Sequence, residues 1–424
     1  MMENRAFKFR LYPLKDQEQN LRQHGGNARF VYNKLLERSC ASRDETGEFI
    51  FGRDLEKELL ILKTENPFLN LSYSQSLQKV AQNLAQGFIN RFVHHSADFP
   101  TLKKKRGTDS FTYKQNWSMG PRSIHLPKIG RIRMVRHRPL VGKPTSVTIV
   151  QDGDLWFASI LCRVEVKEIP PRFPEEDSFV GVDLGIKDFA VVSDGTVIEN
   201  PKHLRKSTKK IRRASRWLSR KVKGSKNGEK SRDRLTNIHR KIRNHRKDFH
   251  HKVSRSMIAK CSGISLETLN IQGMLKNHKL ARAIADCGWG QFVQFLEYKG
   301  KESGKLVIKI GRWFPSTKTC SDCGELMDIS LKQRIYVCKG CGLIIDRDFN
   351  ASLNIRSEGL EILRIAFETL PRGTGEGEGL RPSNACGEES SGQESQGTLT
   401  KLFSVKQENF QDGDSLPALG SPRL

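Results

Sequence analysis

The spacing Cys320-x2-Cys323-x14-Cys338-x2-Cys341 constrains this chain more than any other feature. Each Cys-x-x-Cys presents two thiolates from one tight turn. A hairpin between the pairs gathers four sulfurs about 2.3 Å from a single zinc ion. Four thiolates close the coordination sphere, so the expected Zn2+ is structural rather than catalytic. Cys40, Cys162, Cys261, Cys287 and Cys386 are scattered. That pattern fits a reducing compartment and a metal site, not a disulfide framework.

The second constraint is charge. The 424 residues carry 73 Lys/Arg against 47 Asp/Glu, a formal net of +26. Such a field favours a polyanionic partner, nucleic acid first and anionic membrane second. No run approaches the length of a membrane-spanning helix, and MMENRAFKFRLYPLK has no apolar core of a secretory signal. A soluble cytoplasmic protein acting on nucleic acid, with no membrane partner, is expected. The excess peaks in residues 201–260, with 23 Lys/Arg against 3 Asp/Glu. There Leu235, Ile238, Ile242, Phe249 and Val253 recur at helical spacing and form one narrow apolar stripe. The other faces suit phosphate contacts without sequence readout. Trp217, Phe249 and Trp289 offer rings for base stacking, with core packing the default for each.

Residues 1–168 mix strand and helix signals: a strand at Phe7–Leu11, helices over 15–39 and 73–96, and a hairpin from Val147–Val150 through Asp152-Gly153-Asp154 to Trp156–Val164. They read as a small sheet or barrel with a helical insertion. IPPRFPEED, with three prolines, marks a linker at 169–177. From Phe179, FVGVDLGIKDFAVVSDGTVIEN reads as an antiparallel meander. Residues 371–424 are rich in Gly, Ser and Glu and read as a disordered tail.

Carboxylates stand at the ends of these strands. Asp183 closes Val-Gly-Val-Asp, Glu267 interrupts Ile-Ser-Leu-Glu-Thr-Leu, and Asp346 and Asp348 lie in IIDRDFNASLNI at a strand-to-helix transition. Taken singly, Asp183 also fits a turn, Glu267 an ion pair with an arginine, and Asp346 a helix N-cap. Brought together, they would make an oxygen-rich site for Mg2+ or Mn2+. No Gly-Lys is followed by Ser or Thr, so a Walker A phosphate loop is excluded. No His-x-His pair supports a tyrosine-based single-strand transferase.

GVDLGIKDFAVVSDG, then SLETLNIQGM, then a four-cysteine segment running into CGLIIDRDFNASLNI, together resemble the TnpB family. Those are RNA-guided nucleases encoded by insertion sequences and related to type V CRISPR effectors. The opening FKFRLYPLKDQEQNLRQHGGNARFVYNKLLE is similar to the family's start, and the likeness spans about residues 5–365. The resemblance implies an α/β plus α+β architecture. An N-terminal β-barrel (wedge) domain with a helical recognition insertion would occupy 1–168. An RNase H-like (RuvC) nuclease domain would occupy 178–315 and 346–370, with a zinc ribbon inserted at 316–345. It implies catalytic Asp183, Glu267 and Asp348 holding two Mg2+ or Mn2+ ions, with Asp346 structural. Guide RNA from the element's own end and double-stranded target DNA with a short flanking motif would be the partners. A guide-independent transposase and a catalytically silent RNA-guided repressor are the alternatives. The order Asp–Glu–Asp differs from the Asp–Asp–Glu of the transposase class.

Overall fold

A computed structural model describes residues 2–105, 109–166, 169–170, 172–330 and 333–369. The tail reading at 371–424 falls outside the described residues. Contacts divide the chain into two units, Met1–Lys167 and Glu168–Leu424.

The first unit begins with β1 (Met2–Tyr12), followed by helices α1 (Lys15–Thr46), α2 (Asp54–Glu65) and α3 (Ser74–Phe92). Strands β2 (Ser110–Tyr113), β3 (Ser118–Met119), β4 (Ser123–Leu126), β5 (Gly130–Val135), β6 (Lys143–Asp152) and β7 (Leu155–Glu165) complete it. The pairings run β2-β6-β7-β1-β5-β4-β3 and are antiparallel throughout. The hydrogen-bonded order has two ends, β2 and β3, so among the described residues it is an antiparallel sheet rather than a closed ring. Phe7, Phe9 and Leu11 alternate inward along β1, at the period of two that a half-buried strand requires. They share one core with Leu21, Val31 and Leu35 of α1 and with Leu77, Leu84 and Phe88 of α3.

The second unit is built on a five-stranded sheet ordered β10-β9-β8-β11-β12. Its strands are β8 (Phe179–Leu184), β9 (Asp188–Val192), β10 (Val197–Glu199), β11 (Gly263–Glu267) and β12 (Leu306–Ile310). The first three form the expected meander; β11 pairs parallel with both β8 and β12. Helices α4 (His203–Ser219) and α5 (Lys226–Lys260) link β10 to β11. The basic region is therefore two helices, with Ser225 capping the second by accepting from the Gly228 N–H at 3.0 Å. Short α6 (Ile271–Leu275), α7 (Ala281–Cys287) and α8 (Trp289–Glu302) precede β12. A ribbon of β13 (Ile335–Val337) and β14 (Ile344–Asp346) then leads into α9 (Arg347–Glu368).

Alternation along β8 and β11 assigns the faces of this sheet. Val180, Val182 and Leu184, with Ile264 and Leu266, join a core with Met257 and Ile258 of α5 and Trp289, Phe292 and Leu296 of α8. The intervening residues face α9. Phe179 packs on Leu360 and Leu363, and Ser265 Oγ donates to the Ile355 carbonyl at 2.8 Å. Gly181 explains how close α9 comes. A Cβ there would lie 2.1 Å from the Ser352 carbonyl oxygen and 2.3 Å from the Arg356 nitrogen. Gly359 does the same from the helix side, where a Cβ would lie 2.4 Å from the Ser265 Cβ. Two glycines thus let one helix lie on two adjacent parallel strands.

Candidate active site

Asp183 follows Phe179 and Gly181 at the period of two, so it faces α9 from the end of β8. Leu266 registers with Val182, and one further step of the parallel pairing sets Glu267 beside Asp183. The N-terminus of α9 supplies the third carboxylate. Ser352 and Arg356 cross Gly181 and Leu363 packs on Phe179, so α9 runs antiparallel to β8 and its first turn lies at the Asp183 end. Three distant segments thereby bring Asp183, Glu267 and Asp348 to one end of one sheet face. Burial raises the Asp183 carboxyl from 3.8 to about 8, and the nearby charges of Glu267 and Asp348 add to it against the opposing Arg347. Glu267 is likewise raised by burial, while a hydrogen bond from Ser316 Oγ to its Oε1 draws it back down.

The two aspartates of the last motif have different partners. Asp346 is the N-cap of α9: its Oδ1 accepts from the Asp348 and Phe349 N–H groups at 2.9 and 3.0 Å. Asp348 lies inside the first turn and is held by two arginines. Arg347 Nη2 donates to Oδ1 at 2.7 Å, and Arg334 Nη1 donates to Oδ2 at 3.3 Å. Ser316, Arg334 and Arg347 are absent from the sequence reading. Ser316 lies 49 residues from Glu267, too far for local spacing to reveal the bond.

The four cysteines form a cluster whose sulfur atoms all lie within 4.8 Å of one another. The Cys320–Cys341 and Cys323–Cys338 sulfurs are each 3.6 Å apart. A tetrahedron with Zn–S bonds of about 2.3 Å has edges of about 3.8 Å, so these thiols fit a zinc ion. The two knuckles repeat one design. The Gly324 N–H reaches the Cys320 carbonyl at 3.0 Å, and the Gly342 N–H the Cys338 carbonyl at 3.2 Å. Both glycines take positive φ, +77° and +78°, which closes each turn. Helix α9 ties this cluster to the acids. Asn350 accepts from the Ser321 N–H at 3.0 Å and donates to the Thr319 carbonyl at 2.7 Å; Asn354 donates to the Ser316 carbonyl at 2.8 Å. The spacing Asn350-x3-Asn354 was the available signal, since it sets both amides on one helix face.

Of the rings singled out earlier, Phe249 and Trp289 pack in the core of the second unit. Trp217 is 41% exposed, with the Arg213 and Arg234 guanidiniums 5.2 and 4.9 Å from its ring centre. It joins α4 to α5 in a basic, partly apolar surface. No helix among the described residues is long and apolar enough to cross a membrane.

Three family models match the chain. The IS605 OrfB model, described as a probable transposase, covers residues 159–278, and a Cas12f1-like TNB domain covers 289–355. A model described as a helix-turn-helix domain covers residues 1–48, where β1 precedes the single long helix α1. A Streptomyces pristinaespiralis protein, provisionally named an RNA-guided DNA endonuclease, is 35% identical over 98% of each chain. Escherichia coli InsQ, named in the same way, is 32% identical over 86% of this chain and 94% of its own. The CRISPR-associated endodeoxyribonuclease Cas12f1 of Sulfoacidibacillus thermotolerans is 26% identical over 47% of this chain and 49% of its own. A Cas12f1–sgRNA–target DNA complex solved by cryo-EM aligns with 84% of this chain and 99% of that one at 16% identity, with a TM-score of 0.32. With near-complete coverage by such relatives, and with the OrfB and Cas12f1-like segments in order along it, the chain belongs to the TnpB family of insertion-sequence OrfB proteins.

Proposed function

We propose that this protein is an RNA-guided endonuclease of double-stranded DNA, encoded by a transposable element. It hydrolyses phosphodiester bonds at Asp183, Glu267 and Asp348 in a RuvC-like, RNase H-like domain of residues 178–315 and 346–370. The observation that carries this reading is the convergence of the three acids: burial and the neighbouring charges of Glu267 and Asp348 make Asp183 reluctant to ionise, and burial raises Glu267 as well. Such a donor set fits hard divalent cations, whose charge would relieve that repulsion. Mg2+ or Mn2+, held by these carboxylates, would supply activation of the attacking water and stabilisation of the leaving oxygen. The chain's own residues do the positioning. Ser316 fixes one Glu267 oxygen, and the α9 N-cap at Asp346 fixes the turn that presents Asp348. Arg334 and Arg347 hold Asp348 and keep positive charge beside the place where a phosphate would enter. The zinc ribbon of 316–345, held through Asn350 and Asn354, sets the Ser316 loop.

The remaining parts take the roles that the TnpB resemblance implies. Basic α4 and α5 suit the backbone of a guide RNA from the element's own end. Residues 1–168 act as the wedge, with the helical insertion that reads a short motif beside the target. Guide–target pairing supplies sequence. The sheet itself supports the RNase H-like reading: a three-stranded meander continued by two parallel strands, with acids on the central pair.

Sequencing the RNA that co-purifies with protein expressed from its native flanking DNA tests the guided part. One dominant RNA with a constant scaffold and an end matching neighbouring DNA is expected. A heterogeneous mixture stripped at moderate salt would favour the guide-independent transposase. Guided binding with no cleavage in Mg2+ or Mn2+ would favour the repressor.

A further inference from the structure

Trp313 has no part in the assignments above, yet it is 76% exposed. Its place in the fold is specific. Ile310, the last residue of β12, registers with Glu267 of β11, and the Thr268 hydroxyl donates to the Ile310 carbonyl at 2.7 Å. Three residues beyond Trp313, Ser316 bonds the Glu267 carboxylate. The Gly311–Pro315 loop therefore begins and ends beside Glu267. With consecutive Cα atoms about 3.8 Å apart, Trp313 cannot lie more than about 11 Å from either anchor. The Arg312 guanidinium sits 5.0 Å from the centre of the indole. Among the described residues it has no ion pair with a carboxylate. A large exposed ring and an adjacent unpaired cation are the two parts of a single-strand binding platform: the ring stacks a base and the cation meets its phosphate.

We propose that Trp313, backed by Arg312, stacks a base of the single DNA strand entering the carboxylate centre and so positions its phosphate for cleavage. The proposal rests on the nuclease reading. Trp313 is a positioning residue, because it acts through the placement of the strand. Duplex DNA offers no free base face, so the occupant is a displaced or unwound strand.

The test uses guide-loaded full-length protein and a matched target duplex in Mg2+. Single-turnover cleavage is compared between the wild type, Trp313→Ala and Trp313→Phe, and target occupancy is measured for the same residues in an Asp183→Asn background. Trp313→Ala should cleave about 10-fold or more slowly, with target occupancy unchanged, and Trp313→Phe should recover to within about threefold. An abasic nucleotide moved along the displaced strand should slow the wild type at one position and leave Trp313→Ala indifferent. Trp313→Ala cleaving like an active wild type, or losing occupancy as much as cleavage, overturns the platform alone. A wild type that never cleaves overturns the nuclease reading and the platform with it.

Discussion

Asp183 carries a conflict that only its position explains. Its carboxyl is raised from 3.8 to about 8, so at intermediate pH the folded chain holds a proton that the unfolded chain releases. The stability linked to this group is full below about pH 4 and is lost as pH rises through about 8. Replacing Asp183 with Asn removes that liability. In EDTA at pH 7.5 the variant should be more stable than the wild type by about 1–3 kcal/mol in urea melts, a gain that shrinks toward pH 4.5. Equal stability at both pH values would mean that the site is wetter than its packing indicates. Ser316 makes the converse case, because its hydroxyl pulls Glu267 down. Ser316→Ala should move the acidic limb of the cleavage pH profile to higher pH, with activity at pH 6 falling more than at pH 8.5. A uniform loss across pH would assign Ser316 to loop geometry instead. Asp346 and Asp348 show what spacing cannot resolve. Both are acids in Asp-x-Asp, and only the helix start separates the capping carboxylate from the one inside the first turn.

At the scale of elements, the site depends on α9 lying close to β8 and β11. Gly181 reads in sequence only as the middle of Val-Gly-Val-Asp; its reason is the α9 backbone.

 

What decides the position is distance: a Cβ on Gly181 would lie 2.1 Å from the Ser352 carbonyl oxygen. Gly181→Ala should therefore lift α9 from the sheet, costing about 1–3 kcal/mol in chemical denaturation and most of the cleavage activity. An alanine variant as stable and active as the wild type would show that α9 does not need this approach. The ribbon makes a second prediction. Cys338→Ser, or removal of zinc by a chelator, should release the Asn350 and Asn354 anchors and abolish cleavage while the far-ultraviolet signature of the rest of the chain persists. Cleavage surviving full zinc loss would separate the ribbon from the carboxylates. Elements with strong local chemistry were the legible ones. The cysteine knuckles follow from ligand spacing, and β8 from its apolar run. Helix α2 is absent from the sequence reading although its buried Leu55, Leu59 and Leu62 recur at i, i+4 and i+7, the spacing of a helix face.

For the whole molecule, the large positive charge predicts a polyanionic partner but not which one. The two sheets show why more was not legible. Neither the seven-strand order of the first unit nor the β8–β11 pairing across more than 75 intervening residues is written in local periodicity. Long-range pairing is settled by which faces find a partner, and α9 becomes that partner for one face only once both glycines are in place. The same packing brings the three acids to one end of the sheet, and the central claim stands on them. The most direct measurement is cleavage of a matched DNA duplex by the purified protein with its co-purified RNA in Mg2+. Asp183→Asn, Glu267→Gln and Asp348→Asn should be assayed alongside it. The account predicts guided cleavage by the wild type, its loss in EDTA, and a loss of at least about 100-fold in each variant with target binding retained. Full cleavage by any of the three variants would contradict it.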